Sequence, residues 1–261
     1  MTGEVFEALR YALAEEEAVV TATVVSGEPL GAKLLIYEDG RTVGTLGSAE
    51  LEAAVRADAE ALFESGEAGI RTYSLSDGRQ VEVFLEAHLP PRHLVVIGAV
   101  HIAIPLVAMA KELGYRTTVI DAREFFATRE RFPHADQLIV AWPDEALAQI
   151  KITPQTDIVV LAHDEKFEDP ALQVALRSRA GYIGAIGSRK TSQQRLERLR
   201  RAGFSDQDLA RIHAPIGIDI GAKTPAEIAV SILAEIIAVR RGRYGQPLRP
   251  AKSEPAPVPG E

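Results

Sequence analysis

The amino-acid sequence predicts an α/β protein: a Rossmann-like parallel sheet with helices on both faces, preceded by a smaller α+β domain. From residue 93 onward, apolar runs alternate with helical segments, a rhythm typical of parallel sheets. Before that point, the pairs Asp39-Gly40 and Asp77-Gly78 stand between apolar runs. Such pairs favour tight turns and therefore predict antiparallel hairpins.

The N-terminal region also predicts two helices. Residues 2–16 show helical spacing of apolar side chains, and an amphipathic segment begins after Ser48 and stops near Gly66. A stiff "HLPPR" segment then separates this region from the next. We expect an α+β domain at 1–89.

The C-terminal region predicts five strands and a long final helix. The helix begins at the capping residue Thr224, with Pro225 at its first position. We expect a Rossmann-like domain at 93–241 and a proline-rich, disordered tail at 242–261. The expected strands are 93–98, 116–121, 136–141, 156–162 and 181–186.

Composition restricts the class of function. The 261 residues carry a formal net charge of −8, which argues against a general nucleic-acid or anionic-membrane binder. No cysteine occurs, so disulfides, thiolate metal sites and cysteine nucleophiles are excluded. There is no apolar run of membrane-spanning length and no signal-peptide pattern, so a cytoplasmic location is expected, and no metal site is predicted.

The stretch "GAVHIA" occupies the place of the glycine-rich dinucleotide turn. Gly98 fits the tight-turn position and Ala103 fits the position of close helix packing. Val100 replaces the glycine that lets backbone approach a pyrophosphate, so the motif is degraded. Asp121 ends the second strand, where it can accept ribose hydroxyls, and the nearby Arg123 favours a phosphate instead. Both a nucleotide site and a closed, repurposed turn are compatible with this pattern.

Two further groups are expected at the same sheet edge, because ligands of open α/β sheets bind beyond the carboxyl ends of the strands. One follows "DIVVLA" and the other is "GSRK", where a helix begins beside two cations and favours phosphate. The alternative interpretation is that Ser188 and Asp164 only cap and that Arg189 and Lys190 are solvated. Together, the candidate cofactor-binding residues are Gly98, Val100, His101, Asp121, Arg123, His163, Asp164, Gly187, Ser188, Arg189 and Lys190.

Several stretches taken together resemble a known family. "GAVHIAIPLVAMAKELGY", "LAHDEKFEDPAL", "YIGAIGSRK" and "PIGIDIGAKTPAEIAVSILAEI" are similar to the xanthine dehydrogenase accessory proteins of the XdhC/CoxI type. The resemblance implies a two-domain protein that binds molybdenum cofactor transiently. It also implies that the protein promotes sulfuration of the cofactor and its insertion into a xanthine dehydrogenase-type molybdoenzyme. A sulfurtransferase is a further expected partner, and a homodimer is expected from the short strands of the N-terminal domain.

The sequence departs from that family at one position. Family members often carry a glycine-rich stretch with a cysteine, whereas this chain has Ser48 and its neighbours in "GTLGSAELE". A thiolate ligand to molybdenum is therefore not available here. Two alternatives to the accessory role stay open: an NAD(P)-dependent oxidoreductase using His101 or His163 as a proton donor, and a non-catalytic nucleotide-binding protein.

Overall fold

A computed structural model describes residues 3–243. From residue 244 onward, the expected tail at 242–261 lies outside the described residues. The N-terminal part consists of α1 (Gly3–Ala14), β1 (Val19–Ser26), β2 (Lys33–Tyr37), β3 (Thr42–Thr45), α2 (Ala49–Ser65), β4 (Gly69–Ser74) and β5 (Gln80–His88).

The five N-terminal strands form one antiparallel sheet in the order β3-β2-β1-β5-β4. Both expected hairpins are confirmed, since β2 pairs with β3 and β4 pairs with β5. Helix α2 covers one face of the sheet and α1 covers the other. As expected, α2 is capped at its start by Ser48, and Gly66 ends it with a φ of 68°.

The C-terminal part is a six-stranded parallel sheet with intervening helices. Its elements are β6 (His93–Ile97), α3 (Ala103–Glu112), β7 (Arg116–Ile120), β8 (Gln137–Ile139), α4 (Pro143–Leu147), β9 (Thr156–Val160), α5 (Glu165–Arg177), β10 (Tyr182–Ala185), α6 (Arg189–Arg201), α7 (Asp206–Leu209), β11 (Ile212–His213) and α8 (Pro225–Arg240). The strand order is β11-β10-β9-β6-β7-β8, which is the Rossmann order. The order reverses between β6 and β9, so a ligand crevice is expected there.

Helices cover both faces of this sheet, as the sequence predicts. Leu94 and Val96 of β6 point to the face packed by α3 and α8, whereas Val95 and Ile97 point to the face packed by α5 and α6. This alternation buries the central strand on both sides, which explains its continuous apolar sequence. Along residues 3–243, no helix combines the length and apolar character that a bilayer crossing requires.

Strand β11 was not predicted from the sequence, whereas the long last helix was. Strand β11 has two residues and pairs in parallel with β10, and it is too short to show any periodicity. Helix α8 begins as expected at Thr224 and Pro225. Glu227 accepts the backbone N–H of Thr224 at 2.8 Å and completes a capping box.

Candidate functional site

The loops that carry the candidate residues begin at one level of the sheet. The Gly98 N–H donates to Ile120 O at 2.8 Å, Leu161 N–H to Ile97 O at 2.8 Å and Ile186 N–H to Val160 O at 2.9 Å. The loops after β6, β9 and β10 therefore start from adjacent strand ends. All three predicted groups lie along the carboxyl edge of the sheet.

The turn after β6 keeps the conformation of a Rossmann turn. Gly98 has a φ of 103°, and a Cβ atom there would lie 3.0 Å from the backbone nitrogen of Ala162. Val100 is half-buried against the core beneath α3, and His101 is exposed in the turn before the helix. The helix cap is Ile102, which makes no side-chain cap bond, so His101 does not serve as the polar cap.

Asp121 is buried and joins this turn to the end of β7. Its Oδ2 atom accepts the N–H of Ala99 and Arg123 Nη2, both at 2.8 Å. Its Oδ1 atom accepts the N–H and Nε of Arg123, both at 2.9 Å. Burial raises the pKa of this carboxyl, but the hydrogen bonds from Arg123 and Ala99 outweigh it and hold the pKa below its usual value. The carboxylate thus stays ionised and engaged with protein groups.

Asp164 and His163 follow β9 on the other side of the switch point. Asp164 caps α5, because its Oδ1 atom accepts the N–H of Lys166 at 3.0 Å. His163 is exposed beside it. Capping thus accounts for Asp164 but not for His163.

The "GSRK" loop connects β10 to α6. Ser188 and Thr191 form a capping box, in which the Thr191 hydroxyl accepts the Ser188 N–H at 2.7 Å. Gly187 has a φ of 152°, and a Cβ atom there would lie 2.5 Å from Thr191 Oγ1, so a side chain does not fit. Arg189 and Lys190 are exposed, and neither forms an ion pair within residues 3–243. The loop therefore offers two cations at a helix N-terminus.

A buried ion pair that was not predicted from the sequence lies behind these loops. Glu168 of α5 and Arg195 of α6 pair at 2.7 Å and 2.8 Å, and both are almost fully buried. Arg195 also donates to Ile186 O at 2.6 Å, immediately before Gly187. The pair therefore links the helix that follows His163 to the loop that carries Arg189. Acidic residues in α5 and basic residues in α6 were the available signal, but helix packing decides which of them meet.

The loop "PIGIDIGAK" lies at the end of the edge strand β11. Asp219, which would need partners if it were buried, is exposed and accepts the N–H of Gly221 at 3.3 Å. Partly buried polar contacts to this loop come from α8 instead: Ser231 Oγ donates to Ile218 O at 2.6 Å, and Glu235 accepts the N–H of Gly217 at 2.9 Å. Asp219 therefore does not order the loop through burial.

Comparison with known proteins identifies the family to which this fold belongs. Residues 94–236 match the XdhC Rossmann domain, and residues 12–74 match the XdhC and CoxI family. The chain belongs to the XdhC and CoxI family. A crystal structure described as a xanthine dehydrogenase from Bacillus halodurans has the same fold, with a TM-score of 0.53 and 22% identity. That match covers 92% of this chain and 97% of the other.

Three curated proteins are similar to this chain. YqeB of Escherichia coli K12 is 31% identical over 82% of this chain and 41% of its own length. A probable xanthine dehydrogenase subunit of Bacillus subtilis 168 is 31% identical over 61% of this chain and 46% of its own length. The molybdenum cofactor insertion chaperone PaoD of Escherichia coli K12 is 27% identical over 88% of this chain and 86% of its own length. The chain thus spans less than half of the first two relatives.

Proposed function

We propose that this protein is a cytoplasmic accessory factor that binds molybdenum cofactor and assists its sulfuration and insertion into a xanthine dehydrogenase-type molybdoenzyme. The similarity to PaoD carries the proposal, because it extends over most of both chains and PaoD is named as a molybdenum cofactor insertion chaperone. Family membership supports it. In this role the cofactor is cargo that arrives and leaves.

The carboxyl edge of the parallel sheet is the proposed cargo site. Molybdenum cofactor carries a phosphate, and a phosphate suits the exposed cations Arg189 and Lys190 at the start of α6. Gly187 keeps the loop free of a side chain on this side. The exposed His101 and His163 lie on the neighbouring loops, where imidazole groups can donate or accept hydrogen bonds. These groups hold the cargo and do not react with it.

Asp121 and Arg123 have a different part in this proposal. Their mutual hydrogen bonds and the bond from Ala99 N–H to Asp121 fix the shape of the turn. In the proposed cargo site they shape the turn after β6 and form one wall beside the cargo.

The proposed partners follow from the names of the relatives and from the lack of cysteine in the sequence. The client is a molybdoenzyme of the xanthine dehydrogenase type, and a sulfurtransferase supplies the sulfur. The 261 residues contain no cysteine on which sulfur could be carried as a persulfide. We therefore assign the sulfur-carrying thiol to the partner.

Equilibrium binding of anaerobically prepared molybdenum cofactor tests the proposal. We expect tight binding by the wild-type chain and an affinity at least roughly 100-fold weaker for Arg189→Ala/Lys190→Ala, because the variant loses two cations and each charge-assisted hydrogen bond contributes about 1.5–3 kcal/mol. The matched control is Arg200→Ala/Arg201→Ala. These substitutions remove the same charge from the other end of α6, so this variant should bind the cofactor with the affinity of the wild type.

Two results would contradict the proposal. The first is a wild-type chain that does not bind the cofactor and does not raise the activity of a cofactor-free client enzyme. The second concerns the site alone: equal losses of affinity in the two double variants would show that general charge, and not the loop after β10, attracts the cargo.

A further inference from the structure

The crevice at the switch point is almost completely filled by the protein's own side chains. A cavity of about 10 Å³ remains between the turn after β6, the end of β7 and the start of α5. That space holds about one water molecule, whereas small-molecule sites typically measure about 300–1,000 Å³. Gly98, Asp121, Arg123 and Phe167 line the remaining space. The part of the crevice that would receive the adenosine half of a dinucleotide is therefore closed.

The group that would recognise ribose is already occupied. Both carboxylate oxygens of Asp121 accept hydrogen bonds from Arg123, and one also accepts the N–H of Ala99. The Asp121 side chain is only 3% exposed. A ribose hydroxyl can reach this carboxylate only if the guanidinium of Arg123 moves away. That movement would break the ion pair and leave the buried Asp121 anion without its counter-charge.

Aromatic rings hold the guanidinium of Arg123 in place. It lies 4.4 Å from the ring centre of Phe126 and 5.6 Å from that of Phe167. Phe167 in turn stacks on Trp142, with 4.9 Å between ring centres and 20° between ring planes. Cation–π contacts contribute about 0.5–2 kcal/mol each, so the arrangement resists displacement. Three segments of the domain, namely the loops after β7 and β8 and the first turn of α5, supply the rings.

We propose that Arg123 and Phe167 form a plug that excludes NAD(P)-type adenine dinucleotides from the Rossmann crevice. Val100 adds to the exclusion, because it stands where a second glycine would let the backbone approach a pyrophosphate. The plug determines specificity by excluding a ligand. The Rossmann turn is kept, but Arg123 and Phe167 occupy the place where the adenosine of a dinucleotide would bind. The inference concerns nucleotides alone and does not depend on the identity of the cargo.

Calorimetric titration of the full chain with NAD⁺, NADP⁺ and ADP-ribose tests the plug. We expect no binding to the wild type at millimolar ligand. Arg123→Ala/Phe167→Ala should bind ADP-ribose and NAD⁺ at least roughly tenfold more tightly than the wild type. Arg131→Ala is the matched control. Its guanidinium lies over the same Phe126 ring at 5.5 Å but does not line the crevice, so the variant should not bind.

Arg123→Gln provides a milder second variant, which shortens the plug and keeps a polar side chain beside Asp121. Binding of NAD⁺ by the wild type overturns the inference, as does a failure of both folded Arg123 variants to bind more tightly than the wild type. Neither result decides the proposed function, which depends on the separate titration with molybdenum cofactor.

Discussion

At the scale of residues, the buried ion pair of Glu168 and Arg195 supports the loop after β10, because Arg195 also donates to Ile186 O. Replacing Glu168 by Gln leaves the Arg195 guanidinium buried without a counter-charge, and removing one partner of a buried pair typically costs about 3–5 kcal/mol. We expect the free energy of unfolding of Glu168→Gln to fall by that order, measured by urea denaturation.

Arg198→Gln is the control for that measurement. Arg198 contacts Glu168 and Asp169 from the same helix as Arg195, but its side chain is 22% exposed and its ion pairs are with α5, not with the loop after β10. Its loss should cost about 1 kcal/mol or less.

Amide hydrogen exchange should become faster at Gly187 and Ser188 in Arg195→Lys and stay unchanged in Arg198→Gln. Equal effects in the two would show that Arg195 has no special role in ordering the loop.

The identity of such pairs could not be predicted from the sequence. Gly98, His163 and Arg189 were placed at one edge because parallel strands end together, a rule that needs only the strand pattern. The partner of Arg195 lies 27 residues away on another helix, and several acidic and basic residues of α5 and α6 compete for each contact. Which of them meet depends on how the helices pack, and no spacing in the sequence reveals it.

At the scale of elements, β6 begins with a buried histidine whose charge state affects stability. Burial, assisted by Arg116, lowers the pKa of His93 to about 4, although Asp136 and Glu16 act in the opposite direction. The neutral ring makes a hydrogen-bond contact of 2.8 Å between Nε2 and Thr118 Oγ1. The histidine of the unfolded chain binds its proton near pH 6.5, so stability is complete above that value and is lost as the pH falls towards about 4.

The expected loss is measurable by urea denaturation across this pH range. The difference between the folded and unfolded pKa values of His93 corresponds to about 3 kcal/mol. His93→Gln should be less stable than the wild type at pH 7 and should lose less of its stability between about pH 6.5 and 4.5. Parallel pH profiles for the two proteins would refute a contribution from His93. Carboxylates that titrate in this range contribute similarly to both profiles.

Elements with local signals were predicted and those without were not. Ser48 and Gly66 bound α2, and Thr224 with Pro225 begins α8, because capping depends on residues adjacent in sequence. Strand β11 was missed because its two residues exist only through pairing with β10. The expected strands ran one or two residues too long at their ends, where apolar side chains continue into the loops of the sheet edge.

At the scale of the whole molecule, polar contacts join the C-terminal part of the chain to the N-terminal part. Gln155, just before β9, donates to Phe63 O of α2 at 2.9 Å and accepts a hydrogen bond from Arg92 Nη1 at 2.9 Å. Two clefts of about 210 and 280 Å³ border Gln155. Arg116–Glu16 and Arg179–Glu38 add exposed ion pairs across the same boundary. Since exposed pairs contribute little, we assign most of the polar coupling to Gln155.

We therefore expect Gln155→Ala to uncouple the two parts of the chain. The variant leaves Phe63 O buried without a donor, which costs about 1–3 kcal/mol. Two chain regions with separate cores then lose a shared contact, so calorimetry should show two resolved unfolding transitions where the wild type shows one. Arg179→Gln removes an exposed pair and should keep the single transition. If the Gln155 variant also unfolds in one transition, contacts other than this hydrogen bond couple the two parts of the chain.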